Sequence, residues 1–192
     1  NGGFVSNGFA RGISDIAARV GMDAAKALYA LSREGTEYVR AMVAAHDPRI
    51  EMGSGLRVCV RYQDGGGLHQ YADHLRETYD EVVEVHDVEA TRRIVASPRY
   101  FDSISFPSAF HIHPLRYALL LQMLCVAQGV RVYENSAALR VEEEGTVHVV
   151  QCELGKVTAQ HVAYCVSATD RRLHAATGRA VLPVATSIAV TE

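Results

Sequence analysis

The chain has 192 residues, of which 48% are hydrophobic and 21% are charged. This composition is typical of a soluble globular protein, and it excludes disordered, collagen-like and mucin-like chains. The formal net charge of -3 provides no positive field for a phosphate backbone, so we expect no nucleic-acid partner. The longest apolar run, residues 117–127, is shorter than the ~20 residues of a membrane-spanning helix, so no membrane span is expected.

The first 50 residues predict two helices. Apolar side chains recur at helical spacing between Ile13 and about Ala45, and Gly21 divides this stretch into two amphipathic segments. Asp47 is expected to end the second helix, because a residue that precedes proline, here Pro48, avoids the helical conformation.

The middle of the chain predicts a mixture of helices and strands. In chain order these are a strand at 56–62, a helix at 68–79, a short strand at 82–85, a helix that Asp87 caps and that ends near Ala96, and two strand pieces between Tyr100 and His111 around a turn at Pro107-Ser108. This region is therefore expected to be α+β.

The last third predicts a helix followed by strands. Pro114 is expected to open a helix that closes at Gly129, where glycine supplies the left-handed conformation. The predicted strands are 130–133 and then an antiparallel meander at 137–142, 147–152 and 156–159. A helix that leads at once into a strand is typical of α/β layers.

One later segment differs from the meander, because it is apolar without alternation. Residues 162–166 predict a strand that is buried on both faces of a parallel sheet. The small residues Ser167 and Ala168 follow it, and small residues at the carboxyl end of such a strand let a ligand approach the backbone. Asp170 is expected to cap a short helix that ends at Gly178.

Cysteine and histidine spacing gives little support for a disulfide framework or a metal site. The cysteines lie among apolar residues without paired spacing, which favours buried free thiols in a reducing, cytoplasmic setting; they are Cys59, Cys125, Cys152 and Cys165. His111 and His113 have a spacing that metal sites use. The proline after His113 favours a helix-cap role for that residue and a partly buried strand position for His111.

Three segments, in this order, carry a family resemblance. Asn1-Gly2-Gly3-Phe4 resembles the end of an SGRNGG stretch; the second segment is His113-Pro114-x-x-Tyr117, continuing to Gly129-Val130-x-Val132-Tyr133-Glu134-x-Ser136; the third is Leu154-Gly155-x-Val157-x-Ala159-x-x-Val162, followed by Ser167-Ala168. Together they span nearly the whole chain and resemble the FAD-dependent amine and amino-acid oxidases of the D-amino-acid oxidase class. This class includes glycine oxidase, sarcosine oxidase and gamma-glutamylputrescine oxidase, and the motifs of the three segments most resemble those of the last.

The resemblance implies an α/β fold with FAD as cofactor. It assigns residues 1–50 and 112–178 to an incomplete FAD/NAD(P)-binding domain of the glutathione-reductase type with a three-stranded β-meander, and 51–111 and 179–192 to part of an α+β substrate-binding domain. It places Asn1, Gly2 and Gly3 against the flavin and pyrophosphate. The backbone near Ala138 would meet adenine, and Ser167 and Ala168 would pass close to the ribose and pyrophosphate. Glycine suits such positions because it lets main-chain N–H groups approach a ring or phosphate.

The implied function is oxidation of the C–N bond of a small-molecule amine or amino acid. Hydride passes to flavin N5, water hydrolyses the imine, and dioxygen reoxidises the flavin to give hydrogen peroxide. The substrate pocket would lie on a sheet of about 56–62, 103–111 and 180–190, with His111 and Tyr62 as polar groups that could face it. The sequence identifies no catalytic acid or base and leaves the oligomeric state open.

The chain departs from the family pattern in two respects, and one is the absence of the family's closing segment, which returns to the flavin after the substrate domain. The chain also contains no GxGxxG turn, the motif that places a pyrophosphate at a helix N-terminus. We therefore expect an internal fragment, inactive alone, with that motif within ~40 residues upstream. The alternative is a truncated, non-catalytic relative that acts as a binding or structural module. An α/β hydrolase is disfavoured because the chain has no GxSxG elbow.

Overall fold

A computed structural model of the chain describes residues 2–63, 66–166 and 173–185. They form two compact units, one up to Ala127 and one from Gln128 onward. The predicted assignment of segments to FAD-binding and substrate-binding domains concerns function rather than compactness, and it stays a prediction. No helix among the described residues combines the length and the apolar character that crossing a bilayer requires.

The described residues of the first unit form five α-helices, and the sequence predicted each of them. They are α1 (Ile13–Val20), α2 (Met22–His46), α3 (Gly67–Tyr79), α4 (Val88–Val95) and α5 (Pro114–Ala127), with a short 3-10 turn at Pro48–Ile50. Gly21 separates α1 from α2 with a φ of +85°. Asp87 caps α4 as predicted, because its carboxylate accepts a hydrogen bond from the Ala90 N–H at 2.8 Å.

Four antiparallel strands form the sheet of this unit. They are β1 (Phe4–Val5), β2 (Glu51–Cys59), β3 (Glu84–His86) and β4 (Ser103–Ile112). β4 is central, with β2 along one edge. On its other edge β3 pairs with the start of β4 and β1 pairs with its end.

The prediction of two strand pieces around Pro107-Ser108 was wrong, because β4 is continuous. Proline lacks an N–H and is tolerated in a strand only where no ladder bond is needed. On the β1/β3 edge, β3 pairs with residues 103–105 and β1 with residues 110–111, so residues 106–109 face neither strand. On the other edge the register shifts between Ser54 and Leu56 of β2, and the extra residues of this shift lie on β4 between Phe106 and Phe110. Pro107 therefore fits without ending the strand.

The core of the first unit lies on one face of this sheet. One cluster joins α1, α2 and α3 to Ile104, near the start of β4. A second cluster joins α2 and α5 to Phe110 and Ile112, near its end. Because side chains alternate along a strand, Ser103, Ser105 and His111 lie on the opposite face.

The second unit contains the predicted antiparallel meander. Its strands are β5 (Ala138–Glu144), β6 (Val147–Cys152) and β7 (Lys156–Ala159), in that order, and a short helix, α6 (Ala175–Ala180), follows. The predicted helix end at Gly178 was two residues early, and Ser167, Ala168 and Asp170 lie outside the described residues.

Two predicted strands of this unit are absent. Residues 130–133 and 162–166 have no strand structure, and Val162 is the only one of them that is not exposed. A buried strand of a parallel sheet needs a neighbour on each edge for its backbone hydrogen bonds. The described part of this unit contains the meander strands and no parallel partner. The apolar sequence alone is therefore insufficient to form these strands.

The expectation of buried cysteines was also wrong. All four are free thiols, but Cys125 and Cys165 are exposed and Cys59 and Cys152 are half-buried. Cys125 is exposed because α5 is apolar on nearly every side, while only one side of the helix is covered by the rest of the unit. Leu120 on the covered side is 6% exposed, whereas the preceding residue, Leu119, is 53% exposed.

Candidate functional site

Gly3 lies where β1 meets the end of β4. The Ile112 N–H donates a hydrogen bond to the Gly3 carbonyl at 2.8 Å, and Gly3 has a φ of +82°. A Cβ atom on Gly3 would collide with the carbonyl oxygen of Ile112 and lie 3.3 Å from Cγ of Pro114. The fold itself therefore requires glycine here, in addition to any requirement that a cofactor makes.

His111 lies beside this junction on the sheet face opposite the core. Phe4 pairs with it in register, and the two rings meet edge to face with centroids 5.8 Å apart. On its other side, a Cβ atom on Gly53 would approach Cε1 and Nδ1 of the imidazole to 3.2 Å. The absence of a side chain at Gly53 gives the ring its place, and the half-buried position predicted for His111 is confirmed.

The backbone of β2 is irregular next to His111. Its register against β4 shifts between Glu51 and Gly53 and again between Ser54 and Leu56. Gly55 has a φ of +84°, and a Cβ atom there would meet nothing within 4 Å. The extra residue of the first shift lies on β2, and the extra residues of the second lie on β4 opposite Gly55. Irregular pairing of this kind often occurs next to ligand sites. This end of the sheet thus presents an imidazole and the 56% exposed ring of Phe4 over a floor without bulky side chains.

A buried carboxylate anchors the loop that follows β1. Glu81 is 4% exposed and accepts hydrogen bonds from Asn7 at 2.9 and 3.1 Å, from the Tyr29 hydroxyl at 2.9 Å and from Ser108 at 3.0 Å. Burial and the adjacent Glu81 carboxylate raise the pKa of Tyr29, so its hydroxyl stays a donor. These bonds tie the loop after β1 to α2 and to β4.

The other end of the same sheet face carries a polar network. The Ser103 hydroxyl contacts Thr91 at 2.8 Å and accepts a hydrogen bond from Arg57 at 3.0 Å. Ser105 lies 3.1 Å from Nε2 of His86. Burial raises the pKa of the Cys59 thiol although the nearby Arg57 opposes this, so the thiol is neutral and a poor nucleophile.

The structure does not bring the two predicted pocket residues together. Tyr62 is 65% exposed and lines an open cavity of about 770 Å³ with Arg61, Arg99 and Phe101. It follows the end of β2 that is distant from Gly53: Cys59, the last residue of β2, is six residues or roughly 20 Å from Gly53. His111 and Tyr62 therefore cannot contact one small substrate.

Ala138 lies in the second unit at the start of β5. It lines a cavity of about 440 Å³, within the ~300–1,000 Å³ typical of small-molecule sites. Apolar side chains supply much of the remaining lining, namely Tyr133, Val150, Leu154 and Val157. The pairing of β5 with β6 is irregular just after Ala138. The resemblance places adenine near Ala138, and this assignment stays a prediction.

The remaining predicted site residues fall into three groups. Gly2 is exposed next to Gly3, while Asn1, Ser167 and Ala168 lie outside the described residues. His113 has the predicted cap role, since its Nδ1 accepts a hydrogen bond from the Arg116 N–H at 3.4 Å.

Within ranges 2–63, 66–166 and 173–185, no three histidine, cysteine or acidic side chains are grouped closely enough to hold a metal ion.

The family model described as DAO, FAD dependent oxidoreductase, matches residues 1–192, which is the whole chain. The chain belongs to this family. FAD is the cofactor that defines it, and the family resemblance of the three sequence segments is confirmed.

Curated relatives support this membership. The gamma-glutamylputrescine oxidoreductase of Escherichia coli is 32% identical over 163 residues, which cover 84% of this chain and 38% of the relative. The probable oxidoreductase OrdL of Haemophilus influenzae is 26% identical over 200 residues, covering 100% of this chain and 46% of the relative. The chain thus spans less than half the length of these relatives.

Solved structures show the same fold. Glycine oxidase from Bacillus cereus matches with a TM-score of 0.63 at 14% identity, covering 92% of this chain and 47% of that one. Glycine oxidase from Geobacillus kaustophilus matches with a TM-score of 0.61 at 17% identity, covering 74% and 42%. The predicted fold class, α/β and part of an FAD-binding fold with a three-stranded β-meander, is confirmed.

Sequence reasoning missed Gly53, Gly55 and Glu81. The sequence Gly53-Ser54-Gly55 could have indicated the irregular backbone, because two glycines that flank one residue at the start of a strand favour a bulge. Glu81 gave no such signal, since its partners come from three distant segments.

Proposed function

We propose that the intact protein oxidises the C–N bond of an amine or amino acid with FAD. The observation that carries this proposal is the family match over the whole chain. The named relative and the glycine oxidase structures agree with it, since their names describe enzymes that act on amines or amino acids. The substrate of this chain is proposed only at the level of that chemical class.

Asn1, Gly2 and Gly3 are the residues we propose to border the flavin and its pyrophosphate. The backbone near Ala138 would contact adenine, and Ser167 and Ala168 the ribose and pyrophosphate. The exposure of Gly2 and the apolar cavity beside Ala138 support two of these assignments. When bound, FAD supplies the acceptor for the hydride that leaves the carbon next to nitrogen, and dioxygen reoxidises it.

The substrate would lie against the open end of the first sheet. Phe4 provides an apolar wall that excludes water, and the glycines of β2 leave room for the substrate. Glu81 holds the loop after β1 through Asn7, which keeps Gly2 and Gly3 in a fixed position relative to β4. We retain the division into FAD-binding and substrate-binding segments, and the cytoplasmic location that four free thiols favour, as parts of this proposal.

Purification of the intact protein tests the proposal. We expect a yellow protein with the spectrum of bound flavin, and hydrogen peroxide production when amines or amino acids are added in air. The 192-residue chain alone is the comparison, and we expect it to be inactive because it lacks GxGxxG. A colourless intact protein that produces no peroxide would contradict the proposal.

The competing proposal is a non-catalytic binding or structural module. The uncovered apolar side of α5 favours it, since Leu115, Leu119 and Met123 are all exposed and exposed apolar surface promotes association. This alternative predicts a colourless, oligomeric protein, so the same purification distinguishes the two.

A further inference from the structure

The imidazole of His111 has no fixed partner for its nitrogens. It makes no hydrogen bond or ion pair with any residue in the part of the chain that the structure describes. Its neighbours in register, Phe4 and Gly53, do not titrate. Glu51, the acidic residue of β2, ion-pairs at 3.3 Å with Arg40 of α2. The cap of α5 uses His113 rather than His111.

The ring is nevertheless held in place. The edge of one ring meets the face of the other in the pair with Phe4, at an interplanar angle of 86°. The space above Gly53 is filled by the ring itself, as the 3.2 Å approach of a Cβ atom there shows. Packing thus orients the imidazole without using its hydrogen-bonding capacity.

We propose that His111 is the general base that takes a proton from the substrate ammonium group; this inference rests on the proposed function. An amine in neutral water is protonated, and its nitrogen lone pair must be released before hydride can leave the adjacent carbon. In the step, one N–H bond of the ammonium breaks and an N–H bond forms on the imidazole. The positive charge moves from substrate to imidazolium, and no electrons are exchanged.

The surroundings of His111 suit this role. Histidine is the side-chain type whose charge changes between about pH 5 and 8. The exposed ring of Phe4 offers a π face that attracts a cationic ammonium group. The open backbone at Gly55 leaves space for the rest of the substrate.

The test is His111→Gln in the intact, flavin-loaded protein. Glutamine keeps hydrogen-bonding capacity but cannot take up a proton. We expect kcat/KM at pH 7 to fall about 100-fold, the lower end of the range for general-base catalysis. The deficit should shrink as pH rises toward the pKa of the substrate amine, because the free amine no longer needs a base.

A matched control is His86→Gln. His86 lies on the same sheet face but pairs with Ser103, and Ser103 and His111 are separated by six residues of the paired strand β2, roughly 20 Å. We expect its pH profile and kcat/KM to match those of the wild type. His111→Ala provides a second variant, in which added imidazole should restore activity.

Several outcomes would overturn the proposal. A His111→Gln deficit that is equal at every pH would show a packing role, and no deficit would show no role. If His111→Gln loses its flavin, the His111→Ala variant decides, and a failure of imidazole to restore its activity overturns the proposal. Failure of the underlying function differs from these results, because the wild-type protein would then oxidise no amine at any pH.

Discussion

Replacement of Gly3 by alanine tests whether the fold requires glycine at the β1–β4 junction. At a φ of +82°, an alanine side chain costs about 1–2 kcal/mol. The new Cβ would also collide with the carbonyl oxygen of Ile112. Because that atom is backbone and belongs to the central strand, it cannot move without disturbing β4. We expect a total loss above about 3 kcal/mol, at the upper end of single substitutions.

Two other glycines separate the contributions. Gly55 has a similar φ of +84° but nothing within 4 Å of a Cβ atom, so Gly55→Ala should cost only the conformational part, about 1–2 kcal/mol. Gly35 lies in α2 with nothing within 4 Å, so Gly35→Ala should stabilise the protein by about 1 kcal/mol.

Urea denaturation followed by tyrosine fluorescence measures these differences. The chain has no tryptophan, and seven of its nine tyrosines precede Gln128, so the signal mainly reports the first unit. If Gly3→Ala lowers the free energy of unfolding by no more than Gly55→Ala does, the expected collision between the new Cβ and the Ile112 carbonyl oxygen is contradicted. The requirement for glycine at position 3 would then come from the cofactor alone.

Two further substitutions test the packing of the first unit. Burial and the Glu81 carboxylate raise the pKa of Tyr29 in the folded protein, so the unfolded chain loses the Tyr29 phenol proton first as pH rises. The contribution of Tyr29 to the free energy of unfolding is therefore complete below pH 10 and is lost as pH rises beyond it. Tyr29→Phe should cost about 2 kcal/mol at neutral pH and make this alkaline loss shallower in urea titrations, whereas an unchanged slope would contradict the bond to Glu81. Leu120→Ala should cost about 2–4 kcal/mol while Leu119→Ala costs less than about 0.5, and equal losses by thermal unfolding would contradict the observed orientation of α5.

The helices and the meander could be predicted from the sequence because local signals determine them. Gly21 ends α1 through its own conformation, and Asp87 caps α4 through a bond three residues away. The turn at Gly145 joins strands that are adjacent in sequence. Each of these features depends only on residues that are close together in the sequence.

The strand predictions that were wrong concern segments whose structure depends on residues distant in sequence. Residues 162–166 have the composition of a buried strand, but composition supplies no neighbour for the backbone. Pro107 suggested a turn, yet β4 continues through it as one strand with a register shift against β2, and neither β1 nor β3 pairs with residues 106–109. Such outcomes follow from topology, which periodicity does not encode.

The candidate site shows the same limit. The sequence pointed to Gly3 and His111 separately, for reasons of cofactor approach and strand position. It could not show that Gly53, 58 residues before His111, makes room for the imidazole, because that contact depends on the register of β2 against β4. It also suggested Tyr62 as a partner for His111, although the two occupy opposite ends of the sheet.

Visible absorption of the intact protein without oxygen, recorded before and after addition of an amine or amino acid, tests the proposed flavin-dependent oxidation most directly. We expect an oxidised flavin band that disappears when the correct amine or amino acid is added and returns when air is admitted. A protein without that band, or with a band that no amine or amino acid bleaches, would contradict the proposed oxidation.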